Sequence, residues 1–154
     1  MDDVIATESG QGMDSNPELV FGRRTYEDFA GFWPHQTDNP FTGFLDAAIK
    51  HVVSRNAATP LPWQNSNLLA GDAAETLGAM RSSDGPDLMI MGSVGLVRSL
   101  QGTGLIDTYT LFIAPLVFGR GQRLFTEGSP ELSLELTSSV VSTTGVTMNN
   151  YRTR

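Results

Sequence analysis

The sequence predicts an α/β domain: a mostly parallel sheet with helices on both faces and an antiparallel edge at its C-terminal end. Short apolar runs alternate with apolar residues at helical spacing as far as Asp107, and from Thr108 to Tyr151 the patterns are those of strands alone. Of the 154 residues, 40 % are hydrophobic and 18 % charged, enough apolar material for about one core. The expected division is a short irregular segment over residues 1–18 and one domain over residues 19–154.

In chain order, Val4-Ile5-Ala6 reads as a short edge strand followed by polar loop. Leu19-Val20-Phe21 is a buried strand broken by Gly22, and Tyr26, Phe29 and Trp33 recur at helical spacing up to Pro34. Phe41, Phe44, Leu45, Ala48 and Ile49 repeat that spacing and lead into a strand at Val52-Val53, closed by Ser54-Arg55. After a proline-rich loop from Ala58 to Trp63, Asp72 with Glu75 three residues later opens a helix through Leu77 and Met80. Leu88-Met89-Ile90-Met91 is a strand, Gly92-Ser93-Val94-Gly95 a turn, and Leu96, Val97 and Leu100 the next helix, ended by Gly102 and Gly104. Thr108 to Phe118 reads as a strand, and Leu132, Leu134 and Leu136 alternate with Ser133 and Glu135 as in a one-sided antiparallel strand. Val140-Val141 and Val146 to Tyr151 form a closing hairpin, with Gly145 placed for a positive φ in its turn.

Charge and composition exclude several functions. Ten Lys plus Arg against 17 Asp plus Glu give a net charge of −7, which repels a phosphate backbone, so no nucleic-acid partner is expected. Without cysteine there is no disulfide, thiolate metal site or cysteine nucleophile. His35 and His51 stand apart, without metal-ligand spacing, and no metal is expected. No apolar run approaches the roughly 18 to 20 residues that span a bilayer, and the start lacks the basic region of a secretory signal. The reading is a cytoplasmic protein with no membrane partner.

The chemistry of such a sheet gathers beyond the carboxyl ends of its parallel strands. Three of those ends carry suggestive residues. Gly22-Arg23-Arg24-Thr25 combines close backbone approach, guanidinium charge and a hydroxyl, which suits a phosphate; the plainer role of Thr25 is to cap the helix with Asp28. Gly92-Ser93-Val94-Gly95 offers backbone amides to a pyrophosphate, or serves packing alone. Ser54-Arg55 offers a hydroxyl and a fork to a ribose phosphate, or is an ordinary strand terminus. Together they describe a dinucleotide cleft.

These residues also carry a family resemblance. Phe21-Gly22-Arg23-Arg24-Thr25-Tyr26-Glu27, with Phe29 and Phe32-Trp33-Pro34, resembles the second strand and following helix of the dihydrofolate reductase-like, RibD C-terminal domain family. His51 to Arg55, Pro62 to Ser66, Met91-Gly92-Ser93, Leu96 to Leu100, Gly104 to Asp107, and Pro115 to Gly121 with Leu124-Phe125 follow in the family's order. The resemblance runs from about Leu19 to Tyr151 and is specific for the family more than for a substrate.

It implies an NADPH-dependent reductase of the dihydrofolate reductase or riboflavin-biosynthesis type, passing hydride to a C=N or C=O of a small planar heterocycle. Gly22, Arg23 and Thr25 would approach the cofactor phosphates, Ser54 and Arg55 would take the adenosine 2′-phosphate, and Gly92, Ser93, Val94, Gly95 and Leu96 would surround the pyrophosphate. Trp33 would face the core or a flat substrate. Only 18 residues precede Leu19, where the family usually has a long first strand, an aspartate-containing turn and a helix; Val4-Ile5-Ala6-Thr7 would keep part of that strand, Gly10 to Ser15 would form a short loop in place of the turn and helix, and no residue is assigned as proton donor. The alternative is a module that kept the fold but lost turnover, binding a nucleotide or serving dimerisation. A homodimer is expected, with the exposed sheet edge and the apolar stretch Leu111 to Phe118 as its interface.

Overall fold

The computed structural model describes residue 7 and residues 13–154, so the strand expected at Val4-Ile5-Ala6 lies outside the described residues. The described residues fall into two compact units, residues 16–99 and residues 100–154, the latter together with residues 13–15.

The 16–99 unit is built on a parallel sheet. Its strands are β1 (Glu18–Gly22), β2 (Lys50–Ser54), β3 (Ser66–Ala70) and β4 (Leu88–Ile90), in the order β3-β2-β1-β4. The helices are α1 (Arg23–Phe32), α2 (Pro40–Ala47), α3 (Ala73–Arg81) and α4 (Val94–Leu100). The chain steps from β1 outward to β2 and β3, then crosses back to place β4 on the other side of β1. That reversal leaves a crevice between the carboxyl ends of β1 and β4, the usual ligand position in open α/β sheets.

Side-chain alternation assigns the faces. Leu19 and Phe21 of β1 and Val52 of β2 are fully buried with Tyr26 and Leu45, and Phe29, Trp33, Phe41 and Phe44 pack around them, so α1 and α2 cover this face. Burying each such side chain contributes about 1.5–3 kcal/mol. On the opposite face a Cβ at Gly22 would lie 3.7 Å from that of Leu96, which puts α4 there. Helices therefore lie on both faces. Pro40 occupies the first turn of α2, where its missing N–H is harmless, and Asn39 caps that helix by accepting from the Phe41 N–H at 3.0 Å.

β3 has no counterpart in the sequence reading. It is an edge strand of only five residues, with just Leu68 and Leu69 strongly apolar. Its register is nonetheless unbroken, from Lys50↔Ser66 to Ser54↔Ala70.

The 100–154 unit holds the antiparallel strands as a sheet of their own: β5 (Thr108–Ile113), β6 (Leu134–Val141) and β7 (Thr147–Thr153), in the order β5-β7-β6. β5 stops at Ile113, short of the expected Phe118, because Pro115 donates no hydrogen bond and restricts Ala114. β6 is continuous through Val141, with an irregularity between Leu136 and Ser138. The hairpin turn is as expected, with Gly145 at φ +82° and its N–H donating to Ser142 O at 3.0 Å. No helix among the described residues is long and apolar enough to cross a membrane.

Candidate functional site

Strand ends from the 16–99 unit converge on a cleft of about 250 Å³. Its walls include Gly22 after β1, Ser54 and Arg55 after β2, Gly71 and Asp72 after β3, and Gly95, Leu96 and Ser99 of α4. Of the residues expected to bind a cofactor, Gly22, Ser54, Arg55, Gly95 and Leu96 thus line one space. Gly92, Ser93 and Thr25 meet one another beside Gly22. A Cβ at Gly92 would stand 3.4 Å from the Thr25 methyl, and Ser93 Oγ accepts the Gly22 N–H at 2.8 Å. Val94 is the half-buried first residue of α4.

The turn after β4 is backbone-strained. Gly92 and Ser93 both adopt left-handed conformations, φ +60° and +55°. For serine this costs on the order of 1–2 kcal/mol, and the surroundings must hold it in place. They do so through the Gly22 hydrogen bond, with Ser93 only 7 % exposed. The carboxyl ends of β1 and β4 are in this way tied across the crevice.

Arg55 is exposed, and no hydrogen bond or ion pair to its guanidinium occurs among the described residues. The Arg23 guanidinium does not line the cleft and grips both carboxylate oxygens of Glu27, one helical turn on, at 2.8 and 2.9 Å. Ser54 is buried at the cleft wall, and its Oγ accepts the Asn56 N–H at 3.1 Å and the Thr59 hydroxyl at 2.8 Å. Helix α1 starts at Arg23 with Gly22 as an N-cap lacking a side-chain bond, so Thr25 lies inside the first turn rather than capping it. Trp33 is half-buried, packs against Phe29, Phe32 and Phe41, and lines no part of the cleft.

Gly71, Asp72 and Ser99 line the cleft without being expected there, and Asp72 is the charged one among them. It is also the helix cap its sequence position predicts: its Oδ1 accepts the Ala74 and Glu75 N–H groups at 2.9 and 3.1 Å. Two of the leading amides of α3 are therefore already satisfied by a carboxylate, and Arg55 is the one cationic side chain lining the cleft. A second hollow of about 260 Å³ over Tyr26, Glu27, Ala30, Gly31, Pro60 and Pro62 offers a carboxylate and no cation, and does not suit a phosphate.

Away from the cleft, at the opposite end of the sheet, Lys50 is fully buried. Its ammonium donates to Ala48 O at 2.7 Å and Gln64 O at 3.1 Å and sits 4.6 Å from the centre of the Trp63 ring. Desolvation lowers its pKa to about 8, against an opposing pull from the Asp46 carboxylate. Trp63 Nε1 donates to that carboxylate at 2.7 Å, and the Trp63 N–H donates to Tyr26 Oη at 3.0 Å. This network joins α2 to the loop before β3 and is structural.

A parallel sheet with a topological switch point and helices on both faces, together with a small antiparallel sheet, defines an α/β domain of the dihydrofolate reductase-like fold. The comparisons place it more closely. Residues 13–148 match the RibD C-terminal domain, and the chain belongs to that family. It is 22 % identical over 138 residues to the uncharacterized protein YyaP of Bacillus subtilis strain 168, covering 86 % of this chain and 72 % of that one. The fold is shared with a "putative riboflavin biosynthesis protein" of Shewanella sp. PV-4, at a TM-score of 0.75 and 22 % identity over all of this chain and 81 % of the other. It is shared also with Acinetobacter baumannii RibD, at a TM-score of 0.62 and 14 % identity, where 95 % of this chain covers 51 % of the longer protein. A pyrimidine reductase-like protein of Corynebacterium diphtheriae gives a TM-score of 0.55 at 15 % identity, over 89 % of this chain and 75 % of that one.

Proposed function

We propose that the protein is an NADPH-dependent reductase that passes hydride to a C=N or C=O bond of a small planar heterocycle. The observation that carries this reading is the unpaired Arg55 guanidinium in the cleft formed by the carboxyl ends of β1, β2 and β3 and by α4. A dianionic 2′-phosphate is what such a fork pairs with, and NADH lacks it. Around it the residues fit the cofactor's shape. Nothing stands within 4 Å of where a Cβ at Gly71 or Gly95 would be, so a phosphate or ribose can approach the backbone closely at both. At about 250 Å³ the cleft is at the small end for ligand pockets, the size for the phosphate-bearing ribose rather than for a whole dinucleotide.

When bound, NADPH supplies the hydride. The chain's own part is to hold the cofactor: Arg55 pairs with the 2′-phosphate, Gly22 and the Gly92–Leu96 turn give the pyrophosphate backbone to lie against, and Ser93 fixes the distance between these two loops. Membership of the RibD C-terminal domain family supports the reductase class, and a cytoplasmic setting goes with that chemistry. The test is reduced-nicotinamide oxidation across a panel of oxidised pteridines and pyrimidine derivatives. Steady turnover with one of them is expected. Tight NADPH binding without turnover on any would favour the alternative, a nucleotide-binding module.

We further propose that the protein works as a homodimer. Leu116, Val117 and Phe118, just beyond the edge strand β5, are 62 %, 92 % and 78 % exposed, an apolar run that monomers seldom leave open. Sedimentation showing only monomer would remove this part.

A further inference from the structure

Arg55 and Asp72 stand at the ends of adjacent parallel strands. Ser54 pairs with Ala70, and the Gly71 N–H donates to Ser54 O at 3.2 Å, extending the pairing by one residue. Strands lie about 4.8 Å apart, so the two side chains rise from neighbouring strand ends. Here both line the same cleft, yet no guanidinium nitrogen lies within 4.0 Å of the carboxylate. One reason is visible: Asp72 Oδ1 is held by the Ala74 and Glu75 N–H groups, which fixes the carboxylate on the helix end. Its other oxygen, Oδ2, makes no hydrogen bond among the described residues. An ionised carboxylate only accepts hydrogen bonds and a guanidinium only donates them.

The cleft therefore presents a cation and, beside it, an acceptor. We infer that Asp72 is a specificity-determining residue that accepts a hydrogen bond from the free hydroxyl next to the phosphate Arg55 holds, so that the cleft reads a vicinal phosphate–hydroxyl pair on one ribose ring. A phosphate alone satisfies half of the site and meets the carboxylate's repulsion. A ribose carrying a phosphate and a neighbouring hydroxyl satisfies both halves. Gly71, at φ +116° with open space where a Cβ would be, leaves room for the ring between them. This rests on the cofactor reading above and sharpens it.

The experiment is calorimetric titration of the full chain with adenosine 2′-monophosphate and with 3′-deoxyadenosine 2′-monophosphate. It is done on the wild type, on Asp72→Asn and on Asp72→Ser, both of which keep a helix-capping side chain. The wild type should bind the hydroxyl-bearing nucleotide about tenfold more tightly, the low end for a hydrogen bond to a charged group. In Asp72→Ser, whose short side chain carries no second acceptor, the ratio should fall to about one, with a thermal midpoint close to wild type. The Asp72→Asn amide can donate to the same hydroxyl, so that variant should keep the preference while both nucleotides bind more tightly for want of the carboxylate's charge. Equal affinities in the wild type, or a preference that persists in Asp72→Ser, overturn the role of Asp72 and leave the Arg55 reading standing. If neither nucleotide binds the wild type, the inference and the cofactor reading fail together.

Discussion

Replacing Ser93 by alanine tests how the turns after β1 and β4 are held together. The side chain is buried, and its hydroxyl is the acceptor for the Gly22 N–H at 2.8 Å, an N–H that opens α1 and has no helical partner. Alanine shares the cost of φ +55°, so the change isolates the hydrogen bond. An unsatisfied, partly buried amide costs about 1–3 kcal/mol. A loss of about 2 kcal/mol is expected, read by urea denaturation as a lower midpoint at unchanged slope. Ser93→Gly loses the same bond but relieves the left-handed strain, which returns about 1 kcal/mol. Glycine should therefore be the milder substitution. A Ser93→Ala variant within 0.5 kcal/mol of wild type, or a glycine variant less stable than the alanine one, would refute the reasoning.

Other substitutions probe the remaining claims. Gly95→Leu meets no protein atom within 4 Å at its Cβ and sits in a helix, so the thermal midpoint should hold or rise while NADPH affinity falls at least about tenfold by obstruction. Arg23→Gln should leave NADPH affinity within about threefold and cost about 0.3–0.5 kcal/mol, the worth of an exposed i,i+4 pair. Leu19→Ala, at a fully buried position, should destabilise by about 2–5 kcal/mol in chemical denaturation. Lys50 gives a pH signature. Its folded pKa of about 8 lies below the ordinary 10.5, so between these values the unfolded chain binds more protons, and stability rises with pH across that window. Wild type should gain on Lys50→Met as pH increases from below 8 toward 10.5, and a constant gap between them would contradict the burial of the charge.

Much of this architecture is legible in the sequence because burial on both faces writes itself as an unbroken apolar run. Leu19-Val20-Phe21 announces a central parallel strand in this way, and Leu88-Met89-Ile90, half-buried at the sheet's edge, is legible from its apolar run alone. β3 is hidden because an edge strand beginning Ser66-Asn67 needs little apolar content and is held by main-chain bonds to β2. The strand ends were legible as places, since glycine and arginine after an apolar run have few other uses. What each side chain does there was less so. Arg23 has an acceptor four residues on at Glu27, a spacing that the sequence does display. Ser54 has Thr59 and the Asn56 N–H within its own loop, contacts that depend on how the chain turns. Asp72 joins the cleft through the register of β2 and β3, which no local pattern encodes.

The central claim is that Arg55 reads the phosphate distinguishing NADPH from NADH. Fluorescence titration of both cofactors against wild type and Arg55→Ala measures it directly. The account predicts that wild type favours NADPH by about tenfold or more and that the variant binds the two alike, with NADH affinity unchanged. Equal affinities in the wild type, or a preference for NADPH that survives in Arg55→Ala, would contradict it.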